Sequence, residues 1–519
     1  MSKMFFHSFV KSVFTLALIG AADCQAQARP VSQNREIAAG DRTRLERFEK
    51  QLEELRTHLK IPGMSAAIVK DQQVLWSKGS GFADLERRVP ATPDTLYHIA
   101  SLTKTFAATL IMQLVENGKL NLDEPMSNYS SDFKDSSVKI KHLLSHTSEG
   151  TPGDDYQYNG NRYDYLTAVI EKKTGKSFRE LIVRNFFVPL GMSGSVPAHD
   201  VLDEASKGSN LFAKEMLDRF QKNLTNLAQP YTLYGSSEVV RVPYPPRGVG
   251  AAAGILSTVV DMARFDAAID RHRYLNEETQ DRAWTPFVSN SGRELPHGLG
   301  WFVEKYQGLK LIWHYGHWGT GFSATYLKVP EHNLSLILLA NSEALSDPFY
   351  RTGGIETNVF ACAFLRLFAF EDLQGRVLPD LPWTLRAQEF NSELARLDPQ
   401  SAGNSRDCAP LSHASMTSWL DQRSAKARTS VKVDSRIYEA YVGQYELNPQ
   451  RIFSVTKEGE KLVVDIPRTA RSEMFPESES KFFLKVRDVQ LVFVKGEKGE
   501  VTHLEIISNG DTMRAKRVR

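Results

Sequence analysis

Metal-binding patterns are what this chain most conspicuously lacks. It has three cysteines in 519 residues, Cys24, Cys362 and Cys408, with no Cys/His cluster at zinc spacing and no HExxH run. Nothing in the sequence implies a metal or an organic cofactor. Neither sign of charge dominates: 64 Lys+Arg stand against 62 Asp+Glu, for a net +2. No basic stripe or aromatic-interleaved Lys/Arg run occurs, which argues against nucleic acid as a partner. Internal repeats and low-complexity tracts are missing too. The apolar run at residues 13–22 is too short to span a bilayer. It follows Lys3 and Lys11 and precedes Ala26-Gln27-Ala28, a small-x-small cleavage site. Residues 1–28 are therefore predicted to be a secretory signal, with a periplasmic or secreted product and no membrane span after its removal. In an oxidising compartment Cys362 and Cys408 pair or stay as two buried thiols; both readings stand. The sequence does not specify an oligomeric state.

What is present is organised around Ser101-Leu102-Thr103-Lys104. Serine and lysine three apart on a helix share a face. Phe106, Leu110, Leu114 and Val115 recur behind them at helical spacing, and Asn117-Gly118 supplies a stop. The serine sits where helix N–H groups are unsatisfied and the dipole is positive. A lysine one turn in, among apolar residues, is driven towards its neutral form, which places a base beside a nucleophile.

Upstream, residues 41–60 read as an amphipathic helix, with Leu45, Phe48, Leu52, Leu55 and Leu59 stepping by three and four. Residues 64–69 and 74–78 read as a hairpin around Asp71-Gln72-Gln73. Downstream, residues 139–145, 163–173, 178–187, 211–224 and 257–269 read as helices, and 151–161 as a polar loop. Runs at 309–313, 323–329 and 334–340 predict three strands of an antiparallel meander, separated by a glycine-rich turn at 316–321. Residues 357–370 predict an apolar helix, and 371–434 a connector. From about residue 437 short strands are cut by Glu458-Gly459, Lys495-Gly496 and Asn509-Gly510, which predicts a small all-β domain.

Several stretches in register carry a resemblance. They are Ile61-Pro62-Gly63, Ser101-Leu102-Thr103-Lys104 with Gly118-Lys119-Leu120-Asn121-Leu122-Asp123, His142-Leu143-Leu144-Ser145-His146-Thr147-Ser148, Pro189-Leu190-Gly191-Met192, Gly254-Ile255-Leu256-Ser257-Thr258 and His314-Tyr315-Gly316. In order and spacing they resemble the serine β-lactamase/penicillin-binding-protein family, in its class C-like branch with related esterases and D-aminopeptidases. Tyr441-Val442-Gly443-Gln444-Tyr445 and Phe475-Pro476-Glu477-Ser478 resemble the lipocalin-like β module often appended to that family.

The resemblance implies an α/β (α+β) fold of the β-lactamase/transpeptidase type. An antiparallel sheet flanked by helices, plus an all-helical lobe, would fill residues 29–370; a small β domain would fill 435–519. It implies Ser101 as the acylated nucleophile, Lys104 as the group that eases loss of its proton, and Tyr158 of Tyr158-Asn159-Gly160 as partner base. His314-Tyr315-Gly316 matches the third motif, on a strand edge facing the serine, with Gly316 letting substrate approach closely. The oxyanion donors would be the backbone N–H groups of Ser101 and His317. His317-Trp318-Gly319 is a competing third motif, which would move the second donor to Thr320.

Two positions depart from the family pattern. Gly160 stands where an asparagine is usual, and His314 replaces a lysine. Histidine is mostly neutral near pH 7, so a permanent positive charge for a substrate carboxylate is missing. That favours an exported serine hydrolase of small esters, amides or D-amino-acid peptides over a β-lactamase or DD-carboxypeptidase. The contrasting class is a non-catalytic relative that binds wall peptides or a partner protein.

Overall fold

The computed structural model describes residues 38–203, 210–235, 237–244, 248–318, 321–346, 354–355, 358–370, 427–448, 451–466, 471–508 and 511–519. The predicted signal, Cys24, Cys408 and most of the connector lie outside them.

The body is built on a seven-stranded antiparallel sheet in the order β3-β2-β1-β11-β10-β9-β8. Its strands are β1 (Gly63–Lys70), β2 (Gln73–Asp84), β3 (Val89–Pro90), β8 (Phe302–Tyr306), β9 (Leu309–Trp318), β10 (Phe322–Val329) and β11 (Leu334–Ala340). Strand side chains alternate between faces, and β11 shows the consequence. Leu336 and Leu338 join one hydrophobic cluster while Ile337 and Leu339 join the other. This strand, apolar at every position but Ser335, is therefore buried on both sides.

One face is covered by α1 (Ala39–His58), whose Leu45, Phe48, Leu52 and Leu55 are buried, and by the segment Val359–Phe364 with its π-helical continuation Leu365–Phe370. Phe48 meets Phe364 and Phe368 at centroid distances of 6.1 and 5.7 Å. Full burial of such a ring contributes about 1.5–3 kcal/mol. The other face carries α2 (Thr103–Glu116) and the helix Val259–Asp270, where Phe106 stacks on Phe265 at 3.9 Å. Around α2 gather the short helices α3 (Ile140–Leu144), α4 (Gly160–Asp164) and α5 (Leu166–Thr174). Together they form the helical lobe. Among the described residues, no helix is long and apolar enough to cross a membrane.

Several expectations need correcting. The strand predicted at 309–313 continues to Trp318, so Gly316 lies inside β9 rather than in a turn. The helix predicted at 163–173 is split at Tyr165 into α4 and α5, and the one at 178–187 turns π-helical after Ile182. Strand β8, the helix Glu277–Ala283 and the hairpin β5 (Tyr231–Tyr234)/β6 (Glu238–Arg241) were not foreseen. Cys362 is disulfide-bonded, which resolves the open question for that residue.

The C-terminal unit is a closed eight-stranded barrel, β12 (Gly443–Asn448) to β19 (Asp511–Arg517), as the resemblance implied. Its buried residues form one continuous cluster that includes Tyr441, Tyr445, Phe453, Phe482, Leu491 and Leu504, none more than 1% exposed.

Candidate active site

Two short strands set up the nucleophile. β4 (Tyr97–His98) pairs with β7 (Leu256–Ser257), and the Ile99 N–H donates to the Ile255 carbonyl at 3.1 Å. Ala100 then takes a left-handed φ of 48°, its N–H held by His98 Nδ1 at 3.0 Å. This reversal starts a 3₁₀ turn, Ala100–Leu102, that runs straight into α2. Ser101 thus stands on the turn before the helix rather than within it. A left-handed non-glycine residue costs on the order of 1–3 kcal/mol, a strain that concentrates at functional sites.

Lys104 is 1% exposed, and its Nζ lies 2.9 Å from Ser101 Oγ. The same Nζ donates to the Ala252 carbonyl at 2.9 Å. Burial pushes the lysine down to about 7, against an opposing pull from Asp164. Its position depends on the 250–254 loop, which is tied to the helical lobe. Ala251 N–H donates to Thr167 Oγ1 at 2.8 Å and Ala252 N–H to Asp164 Oδ1 at 3.1 Å. Sequence reasoning missed this support, because a backbone carbonyl ligand leaves no side-chain signature.

Tyr158 enters from the predicted polar loop. Its ring centroid lies 5.2 Å from Lys104 Nζ, as does that of Tyr163, and it stacks on His146 at 4.2 Å. Tyr156 and Tyr163 are held well above the ordinary phenol range by burial, and further by charge on Tyr158. The expected third motif is where the sheet meets this group. His314 is fully buried, 6.4 Å from the Tyr158 ring and 6.0 Å from His297. Its Nδ1 bonds the Tyr315 carbonyl at 2.7 Å. Burial, and then the neighbouring His297 and Lys104, hold His314 well below the usual imidazole value, so it is neutral at pH 7. With no exposed surface, it acts on the lysine and tyrosine from behind and does not present itself to a substrate.

Gly316 also has a role different from the one expected. A Cβ there would lie 2.3 Å from the Ile99 carbonyl oxygen. The close approach the glycine permits is between β9 and the nucleophile's own turn. Gly316→Ala should therefore push backbone against backbone and destabilise the protein by about 1–3 kcal/mol. A fall in Tm together with lower activity is the expected result.

The strand places His317 differently. Among the described residues β8 pairs with β9 only as far as Trp313; beyond it Gly316 packs against the Ile99 carbonyl and the Tyr315 ring lies 5.4 Å from that of Tyr158. Lys310 N–H donates to Glu331, on the β10 side. β9 and β10 pair without a register shift, and N–H groups alternate in direction along a strand. Those of Tyr315 and His317 consequently point away from β10. The His317 side chain turns away, with Nδ1 at 3.2 Å from Ser346 Oγ. Gly319 and Thr320, of the competing motif, lie outside the described residues.

Gly160 is the N-terminal residue of α4, capped by the Asn159 side chain, which accepts from Arg162 N–H at 3.0 Å. A Cβ at Gly160 would meet only Lys104 Nζ within 4 Å, at 3.8 Å. Space for a side chain aimed at the lysine is therefore present. Gly160→Asn should fold normally. An amide oxygen beside Nζ would favour the ammonium, so the acid limb of the pH–rate profile should move to higher pH.

Residues 48–355, more than half of the chain, match the Beta-lactamase family, and residues 427–516 match a domain of unknown function, DUF3471. Among curated proteins the chain is 24% identical over 462 residues to penicillin-binding protein 4* of Bacillus subtilis (strain 168), covering 82% of this chain and 88% of that one. It is 25% identical over 322 residues to protein flp of Staphylococcus aureus (strain MW2), covering 54% of this chain and 60% of that protein. Among solved structures, the octameric penicillin-binding protein homologue from Pyrococcus abyssi superposes with a TM-score of 0.51 at 22% identity. That match covers 91% of this chain and 100% of the other, and supports the fold. The S-x-x-K turn, the sheet-and-lobe body and the extent of the sequence match agree: this chain belongs to the Beta-lactamase family of serine hydrolases.

Proposed function

We propose that the protein is exported and hydrolyses small esters, amides or D-amino-acid peptides through an acyl-enzyme on Ser101. The observation that carries this reading is the buried Lys104 amine at 2.9 Å from Ser101 Oγ. Ser101 Oγ attacks the substrate carbonyl carbon while its proton passes to the neutral amine of Lys104. The carbonyl π electrons move to the oxygen, which is received by the N–H groups of Ser101 and His317; such donors are worth about 2.7–4 kcal/mol each. As the tetrahedral intermediate collapses, the bond from the carbonyl carbon to the leaving group breaks and Tyr158, beside the lysine, relays the proton to that group. Water then attacks the acyl-enzyme carbonyl, giving its proton to the same pair; the ester bond to Ser101 Oγ breaks, the acid leaves, and the proton returns to Oγ.

Buried and neutral, His314 offers no positive charge to a substrate carboxylate, which favours substrates without one. Penicillins remain a second reading, motivated by the penicillin-binding relative. Purified protein should hydrolyse p-nitrophenyl acetate and D-amino-acid amides faster than nitrocefin. Faster nitrocefin turnover would favour the lactamase reading, and turnover undiminished in Ser101→Ala would refute the nucleophile assignment. N-terminal sequencing of the exported protein checks export: a start near residue 29 is expected, and one well before Ala22 contradicts it.

A further inference from the structure

The barrel matches a domain of unknown function, and its interior holds a continuous hydrophobic cluster. Its contacts point to the hairpin β5–β6. The Tyr234 ring lies parallel to Phe483 of the barrel, with centroids 6.1 Å apart and planes 9° apart. The Tyr234 hydroxyl accepts from the Arg428 N–H at 2.5 Å and donates to the Arg428 carbonyl at 2.9 Å. The Arg428 guanidinium pairs with Asp488 at 2.6 Å and approaches Glu477 at 3.7 Å. Lys485 lies 5.2 Å from the ring centroids of both Tyr234 and Phe475, and pairs with Glu238 of β6 at 3.2 Å.

The same hairpin is tied at its other end to the active-site strand. Tyr231 N–H donates to the Asn341 carbonyl at 2.9 Å, and Tyr231 forms an antiparallel bridge with Gly321. Thr232 Oγ1 donates to Glu343 Oε1 at 2.9 Å, and Glu343 Oε2 faces the Gly321 N–H at 3.5 Å. Gly321 immediately precedes β10, where Phe322 pairs with Trp318 and Ser323 with His317. The hairpin is a separate two-stranded sheet. Such a pair is marginal alone in water and needs a packed face to hold its shape.

We propose that the barrel is a clamp: it holds β5–β6, and through Gly321 it fixes the end of β9 that carries His317, next to the Ser101 turn. This rests on the acyl-transfer reading above. A displacement of about 1 Å in a catalytic constellation costs on the order of 10²-fold in rate, so a clamp remote from the chemistry has a large lever. Tyr234 is then a positioning residue, and its loss should lower kcat rather than raise KM.

The test uses the full chain with p-nitrophenyl acetate, and fluorophosphonate labelling of Ser101 as a second readout. Tyr234→Ala should lower kcat about 10–100-fold with KM changed less than about 3-fold, while Tyr234→Phe, which keeps the ring, falls between. Lys485→Glu should lower kcat a few-fold, and adding Glu238→Lys should restore it. Circular dichroism and thermal scans establish that each variant is folded; if Tyr234→Ala is not, the charge-swap pair decides. A kcat within about 2-fold of wild type in folded Tyr234→Ala, a loss confined to KM, or no recovery in the swapped pair overturns the clamp. Wild-type protein that Ser101 labelling leaves untouched overturns the acyl-transfer reading instead.

Discussion

Lys104→Met should slow ester hydrolysis and fluorophosphonate labelling by about 10²–10⁴-fold, the usual worth of a positioned general base. Methionine matches the lysine stem in length and apolar character, so the packing around α2 is largely kept. What disappears is the amine at 2.9 Å from Ser101 Oγ. Ser101 then has to lose its proton to water or to Tyr158 across a longer path. In the wild type, the rate should rise with pH through about 7 as the buried amine becomes neutral. The variant should lose that limb. Labelling at the wild-type rate in folded Lys104→Met would show that the lysine only packs.

The second large effect is on stability, and its sign is opposite. A lysine whose value falls from about 10.5 unfolded to about 7 folded binds fewer protons in the native state between those limits. Stability attributable to Lys104 therefore rises with pH across that window. Below pH 7 the burial cost is present in full, on the order of 5 kcal/mol; above about 10.5 it vanishes. Methionine carries no such cost. Lys104→Met should have a higher Tm than wild type at pH 6, by an amount that shrinks steadily towards pH 10. At the alkaline end the variant loses the bond to the Ala252 carbonyl with nothing in return. Thermal scans of both proteins from pH 6 to 10 check this, since titrating groups out of reach of Lys104 cancel in the difference, and His146, His297 and His314, which its charge depresses, are neutral across that range. A difference that does not vary with pH would mean the lysine is not held down by burial.

The site was legible in the sequence where chemistry rides on side chains at helical spacing. For Ser101 and Lys104 the spacing put both on one face and the apolar run behind them foretold burial, while the matching stretches around them, not the tetrapeptide alone, singled them out. The strand at 334–340 was legible because a run apolar at all but Ser335 has to be covered on both faces. The strand carrying the third motif was shortened because Gly316 reads as a turn former. It is a glycine for a tertiary reason, the carbonyl of Ile99, which no local pattern contains. His297, packed behind His146 and His314, was likewise invisible, and His146 stood out only as part of a matching stretch, since the neighbours of both come from distant segments. The β5–β6 hairpin was lost in a stretch of prolines and polar residues; its strands are short and depend on the barrel and on Gly321 for partners.

The central claim is that Ser101 is an activated nucleophile, and intact-mass spectrometry after incubation with a fluorophosphonate tests it most directly. One adduct per chain is expected, formed faster as pH rises through about 7 and absent in Ser101→Ala. A parallel incubation with a fluorescent penicillin reports whether β-lactams reach the same serine. Folded protein that takes up no fluorophosphonate, or takes it up equally in Ser101→Ala, would contradict the account.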